Sequence, residues 1–409
     1  MRRLVCSVFA ALLLISSAEA KKLRVDTPKG SAPRASVARP EPAPSAKPMQ
    51  VVPIAPAAAE PVREASGEEV RSLIFMIGDG MGLSHVAAMM IEGGYAPTAF
   101  DWMENVALIA TRSANNLVTD SAAAGTALAT GSKTDNGRLG EAPDGHALES
   151  MIAKAWKREM PTGVVVTCKI QHATPGAFYA HVPNRNLYDE ISRQLASSKL
   201  DVAFGGGKAE MTAPDASGRS AADELVRTGC RVIYDWNQAE DIRSGRVAGF
   251  FADDHLPSML DGRGDYLPQA TRKALEILDN NAREAGKGFV LMVEGSQIDF
   301  ESHGNNAAGV LAEVRDFEAA VSAAMRFVDN HPGTLLVVTA DHETGGLSMP
   351  SRKADFTASE SGMDYKFGSG SHTGILVPVY LYGAGAERIN GVMDNTELSH
   401  KLMALLDLK

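Results

Sequence analysis

Leu73-Ile74-Phe75-Met76-Ile77 is a continuous apolar run that ends at Gly78-Asp79-Gly80. A strand exposed on one face alternates apolar and polar residues, so an unbroken run predicts a strand buried on both faces, as in parallel sheets. The pattern recurs. Val164-Val165-Val166-Thr167 leads to His172, Phe289-Val290-Leu291-Met292-Val293 to Glu294, and Leu335-Leu336-Val337-Val338-Thr339-Ala340 to Asp341-His342. Residues 377–382 read as a further strand. Between these runs, 268–285 and 307–328 carry apolar residues near helical spacing, and 396–406 closes the chain as a helix. Strands alternating with helices predict an α/β fold: a single domain with a central, mostly parallel β-sheet flanked by helices on both faces. Ligands of such sheets bind at the carboxyl ends of the strands, which is where the polar residues fall.

The first 68 residues do not share this pattern. Arg2 and Arg3, an apolar stretch over 4–15 and Ala18-Glu19-Ala20 have the order of a cleaved export signal, residues 1–20, too short to span a membrane. Residues 21–68 are rich in Pro, Ala, Lys and Arg and read as an extended, flexible linker, with tethering to an anionic cell surface as its functional alternative. A periplasmic or secreted protein is expected. Cys168 and Cys230 then have two readings, a disulfide or two buried thiols. The chain carries a formal net charge of -10, which argues against sequence-independent nucleic-acid binding. An acidic chain that handles anions must make positive charge locally.

Five clusters carry chemistry. In Gly78-Asp79-Gly80-Met81-Gly82 the glycines allow a sharp turn, and an Asp at a strand end suits a hard or borderline cation or caps the turn. In Thr119-Asp120-Ser121-Ala122-Ala123-Ala124 either Asp or Ser can cap an Ala-rich helix, and a Ser hydroxyl there lies beside free N–H groups that favour an anion. No Gly-x-Ser-x-Gly elbow surrounds this Ser. Asp299 and His303, one helical turn apart, project to one face and can share a metal, with Glu294 at the preceding strand end and Glu301 out of phase and solvated. Asp341-His342-Glu343 follows a very apolar strand, and Ser369-Gly370-Ser371-His372-Thr373-Gly374 reads as a flexible loop presenting one His. So many carboxylates and imidazoles on one sheet edge would shift each other's pKa values, and two or three divalent cations are the simplest compensation.

These motifs, in this order from Ser72 to the C-terminus, resemble the alkaline phosphatase family. The short interval between His342 and His372 is similar to compact bacterial members, which lack the crown insertion of animal enzymes. The resemblance implies a catalytic domain over 69–409 that hydrolyses small phosphate monoesters through a phosphoserine, releases inorganic phosphate, works best at alkaline pH and forms a homodimer. It implies two Zn2+ and one Mg2+. Asp79, Asp341 and His342 match one zinc site; Asp299, His303 and His372 match the other; Glu294 and Thr174 match magnesium ligands, with Asp79 bridging. Ser121 matches the nucleophile and Arg185 the arginine that grips phosphate. Two metals about 4 Å apart clamp the attacking and leaving oxygens of an in-line displacement, and an Arg fork holds the phosphoryl oxygens.

Two positions depart from the enterobacterial pattern. His172 stands where that pattern has Asp near the magnesium site, so the third metal is open between Mg2+, Zn2+ and Co2+. Phe300 replaces a Lys or His that contacts phosphate. A phosphodiesterase or another two-metal member of the superfamily is the nearer rival reading, and a non-catalytic metal- and phosphate-binding surface protein the more distant one.

Overall fold

A computed structural model describes residues 69–355 and 362–408; the expected signal segment and linker lie outside them. The run that opens the domain is the strand Ser72–Gly78, with all seven residues buried. Full burial of side chains such as Ile74, Phe75 and Ile77 contributes about 1.5–3 kcal/mol each. Among the described residues, ten strands form one sheet. Their order across it is Gly391–Asp394, Asn105–Ala110, Val377–Gly383, Thr334–Thr339, Ser72–Gly78, Val290–Gly295, Thr162–Lys169, Val202–Gly206, Val247–Phe250 and Arg231–Ile233. Only Val377–Gly383 runs antiparallel to its neighbours.

The four central strands are Thr334–Thr339, Ser72–Gly78, Val290–Gly295 and Thr162–Lys169, side by side and parallel. Ile77 is level with Thr339 on one side and Glu294 on the other, and Glu294 is level with Val166. The register brings Asp79, Asp341, His342, Glu294 and His172 to one edge of the sheet.

Helices cover both faces. Tyr266–Ala285 and Ala307–Asn330 pack together on one face, and each reaches two residues beyond its expected bounds. Ser121–Thr130 packs against Asn395–Leu405 and Ala173–Gly176. All ten residues of Ser121–Thr130 are buried, and its sequence SAAAGTALAT explains how. Small side chains let neighbours come close; a Cβ on Gly125 would lie 3.1 Å from that of Ala177. Among the described residues no helix is long and apolar enough to cross a membrane.

Three local expectations change. His372 is not on a free loop: His372–Thr373 pairs antiparallel with Glu343–Thr344, and Gly345 N–H donates to the Ser371 carbonyl. Buried Glu343 holds this fold-back by accepting from the N–H groups of Gly346 and Leu347 and from the Thr373 hydroxyl. Glu301 is half-buried rather than solvated and accepts from Asn306 Nδ2 at 2.6 Å. Cys168 and Cys230 are both buried free thiols, so the disulfide alternative falls.

Candidate metal centre and active site

The site is built from strand ends outward. Asp79 follows the Ser72–Gly78 strand and is fully buried. Gly80 takes φ +73°, and a Cβ there would lie 2.8 Å from Thr344 Oγ1 and 3.0 Å from Asp299 Oδ1, so only glycine lets the turn pass this close. The Gly80 N–H donates to Asp341 Oδ1 at 3.1 Å, fixing that carboxylate. His342 Nε2 is the hub: it lies 3.2 Å from Asp341 Oδ2, 3.5 Å from Asp79 Oδ1 and 3.2 Å from Ser121 Oγ.

Asp299 lies 3.3 Å from His303 Nε2 and 3.6 Å from His372 Nε2 and accepts from the Thr344 hydroxyl. Each of these imidazoles turns its Nδ1 to a main-chain carbonyl, His303 to Gly370 at 2.9 Å and His372 to Thr119 at 2.8 Å. That arrangement leaves Nε2 toward Asp299, the orientation that backbone partners impose on metal-binding imidazoles. His372 also stacks on His342, with ring centroids 3.6 Å apart.

Among the described residues, three groups of side chains place donor atoms within 4.8 Å of one another: Asp79 with Asp341 and His342, Asp299 with His342 and His372, and Glu294 with His172 and Cys168. His303 adjoins the second group, its Nε2 3.2 Å from that of His372. Thr174, buried at the start of the short helix Ala173–Gly176, has a hydroxyl without a hydrogen-bond partner.

The donor set fits cations. Both oxygens of Asp79, Asp341 Oδ2 and Glu294 Oε1 are buried and make no hydrogen bond. Unpaired buried carboxylates are costly, and a divalent ion is the group that satisfies them. The metal-free electrostatics show the same deficit. Burial, then the charges of Asp341, Asp299 and Glu294, raise Asp79 well above the ordinary carboxylate range. Burial and Asp341 push Glu294 up to about 7, although bonds from Ser296 and Cys168 pull the other way. Burial also works against ionised Asp299, but the bond from His303 and the nearby imidazoles hold it well below the usual range. The same bond lifts His303 to about 9.

Ser121 is the first residue of its helix, and Asp120, not Ser121, is the cap. Asp120 Oδ1 accepts from Ala123 N–H at 3.0 Å; Oδ2 accepts from Gly137 N–H at 3.0 Å and Arg185 Nη1 at 3.1 Å. The cap falls to Asp120, which leaves the hydroxyl of the adjacent Ser121 to face His342. Arg185 Nη2 also donates to His172 Nε2 at 3.3 Å. Burial, with Arg185 and His255 beside it, holds His172 well below the ordinary histidine range. Phe300 packs edge-on against His172 and His255, with centroids 5.5 Å and 4.9 Å away.

Four site-forming residues were not assigned to the site from sequence. Cys168 signalled only a disulfide question. Asp120 was one of two possible caps. His255 sits in a loop without a motif. Buried His85 accepts Gly82 N–H at Nδ1 and meets Ser302 Oγ through Nε2 at 3.0 Å, bracing the helix that carries Asp299 and His303.

Buried carboxylates and imidazoles at the carboxyl ends of a parallel sheet, beside a helix-borne serine and an oriented arginine, define a metal-dependent hydrolytic centre. The profile of the family described as alkaline phosphatase matches residues 70–364. The chain belongs to the alkaline phosphatase family and is an enzyme of that type. It is 31% identical over 417 residues to alkaline phosphatase 4 of Bacillus subtilis, spanning 83% of this chain and 89% of that one. It is 31% identical over 430 residues to streptomycin-6-phosphate phosphatase of Streptomyces griseus, spanning 88% and 96%. The solved alkaline phosphatase of the Antarctic bacterium TAB5 superposes with a TM-score of 0.78 at 34% identity, covering 84% of this chain and 100% of that one.

Proposed function

We propose that the protein hydrolyses phosphate monoesters through a phosphoserine at Ser121 and releases inorganic phosphate, with an alkaline optimum. The observation that carries this reading is the Ser121 hydroxyl, 3.2 Å from His342 Nε2 at the junction of two cation-fitting groups, on the N-terminus of a buried helix.

Asp79, Asp341 and His342 would hold one Zn2+, and Asp299, His303 and His372 a second. Glu294, Thr174 and the shared Asp79 would hold a third ion, Mg2+ or, given His172, Zn2+ or Co2+. When bound, these ions lower the pKa of the Ser121 hydroxyl and stabilise the leaving oxygen.

The chain's own residues do the rest. Asp120 accepts one edge of Arg185 and His172 another, so the guanidinium is pre-aimed and its remaining N–H groups fork onto two non-bridging phosphoryl oxygens. Asp120 also takes the Ala123 N–H and its carbonyl that of Ala124, leaving those of Ser121 and Ala122 to the developing charge. Ser121 Oγ attacks phosphorus as the P–O bond to the leaving alcohol breaks; water then attacks the phosphoserine and returns Ser121. Phe300 walls the pocket without adding a cation. The name of the Streptomyces relative, streptomycin-6-phosphate phosphatase, supports a phosphate ester of a small molecule as substrate.

The test compares p-nitrophenyl phosphate with its bis-ester, with and without chelator. Fast, chelator-sensitive hydrolysis of the monoester and slow hydrolysis of the diester are expected. Preference for the diester would replace this reading with a phosphodiesterase. Export to the periplasm or medium, with residues 1–20 as signal and 21–68 as tether, and a homodimeric assembly complete the proposal.

A further inference from the structure

We infer that Cys168 is a direct ligand of the third cation and that its thiolate makes this site select zinc or cobalt over magnesium. Cys168 is the next-to-last residue of the central strand Thr162–Lys169 and is fully buried. Its Sγ lies 3.4 Å from Glu294 Oε2. That is about the separation of two donors on one tetrahedral ion with a Zn–S bond of about 2.3 Å and a Zn–O bond of about 2.0–2.2 Å. Its main-chain N–H donates to Ser296 Oγ at 3.2 Å, and Ser296 Oγ donates to Glu294 Oε2 at 2.7 Å, so one small network fixes both donors.

A buried cysteine alone would mean little. Here a further buried atom with no hydrogen-bond partner, Glu294 Oε1, belongs to the same donor group. Cys168 and Glu294 thus bring sulfur and oxygen to one buried site. Magnesium takes oxygen ligands in near-octahedral geometry and keeps several waters. Thiolate suits zinc and cobalt. Loading replaces the Cys168 S–H bond by a bond from sulfur to the ion and releases that proton to solvent.

The inference rests on the metal-dependent reading above, and the experiment separates the two. The full chain is stripped with chelator, reloaded with Co2+ and followed by absorption. The expected result is a sulfur-to-cobalt charge-transfer band in the wild type, retained in Cys230→Ser and lost in Cys168→Ser. Excess Mg2+ should displace the third Co2+ from Cys168→Ser at a ratio at least about tenfold lower than from the wild type, because loss even of outer partners costs 10–100-fold in affinity. X-ray absorption of the cobalt-loaded wild type reads a sulfur neighbour without any variant. Three bound ions with no sulfur signature, or a band that survives Cys168→Ser, would overturn this inference alone. A wild type that takes up no ion would overturn the metal-dependent reading with it.

Discussion

Replacing Glu294 by Gln should stabilise the metal-free protein at alkaline pH. Glu294 is fully buried, and its carboxyl is raised from the ordinary 4.5 to about 7. Below pH 4.5 it is protonated in both folded and unfolded chains. Between about 4.5 and 7 the unfolded chain releases this proton while the folded chain keeps it, so wild-type stability falls as pH rises and levels off above about 7. At about 1.4 kcal/mol for each pH step, the loss reaches about 3 kcal/mol. Gln keeps the volume and an acceptor for the Ser296 hydroxyl but has no proton to lose. His85, His172 and His342 are held below the ordinary histidine range by burial. They lose stability as pH falls, so the informative quantity is the variant minus the wild type. Urea melts in chelator from pH 5 to 8 should show that difference growing toward about 3 kcal/mol in favour of Gln. With cations restored the order should reverse, since the wild-type carboxylate then has its partner. A difference that stays constant with pH would refute the reasoning.

Other substitutions test the supports of the site. Asp120→Ala removes the acceptor for Ala123, Gly137 and Arg185; stability should fall by about 2–4 kcal/mol and the phosphate inhibition constant should rise, whereas Asp120→Asn keeps the cap and loses mainly phosphate affinity. Equal melting of the two variants would contradict this division of roles. Arg263 sits buried between Glu313 and Asp316, so Arg263→Met should cost about 3–5 kcal/mol at neutral pH by denaturant unfolding, and a loss under about 1 kcal/mol would count against it. Phe300→Lys should lower the phosphate inhibition constant at least about tenfold and slow turnover through product release, because one hydrogen bond to a charged group is worth about 1.5–3 kcal/mol. An unchanged constant would sink that idea.

The strands were legible because burial on both faces erases alternation, and the polar residue that ends each run is the one the sheet edge presents. Hence Asp79, Glu294, Asp341 and His342 could be read directly, and Asp299 with His303 through helical spacing. His372 was visible as a residue but not as a fixed one, because a two-residue ladder and the Glu343 side chain that pins it leave no periodic trace. Cys168 lies between Thr167 and Lys169, just past the apolar run of its strand, and only the neighbouring strand reveals Glu294 beside it. The antiparallel direction of Val377–Gly383 is likewise a property of the sheet, not of the segment.

The central claim is that Ser121 carries the phosphoryl group. The most direct measurement is acid-quenched mass spectrometry of the metal-loaded enzyme with a phosphate monoester, alongside Ser121→Ala. A phosphoserine on the Ser121 peptide that forms within one turnover, and its absence together with loss of p-nitrophenyl phosphate hydrolysis in the variant, are expected. Hydrolysis that survives Ser121→Ala, or a phosphoryl group trapped on another residue, would contradict the account.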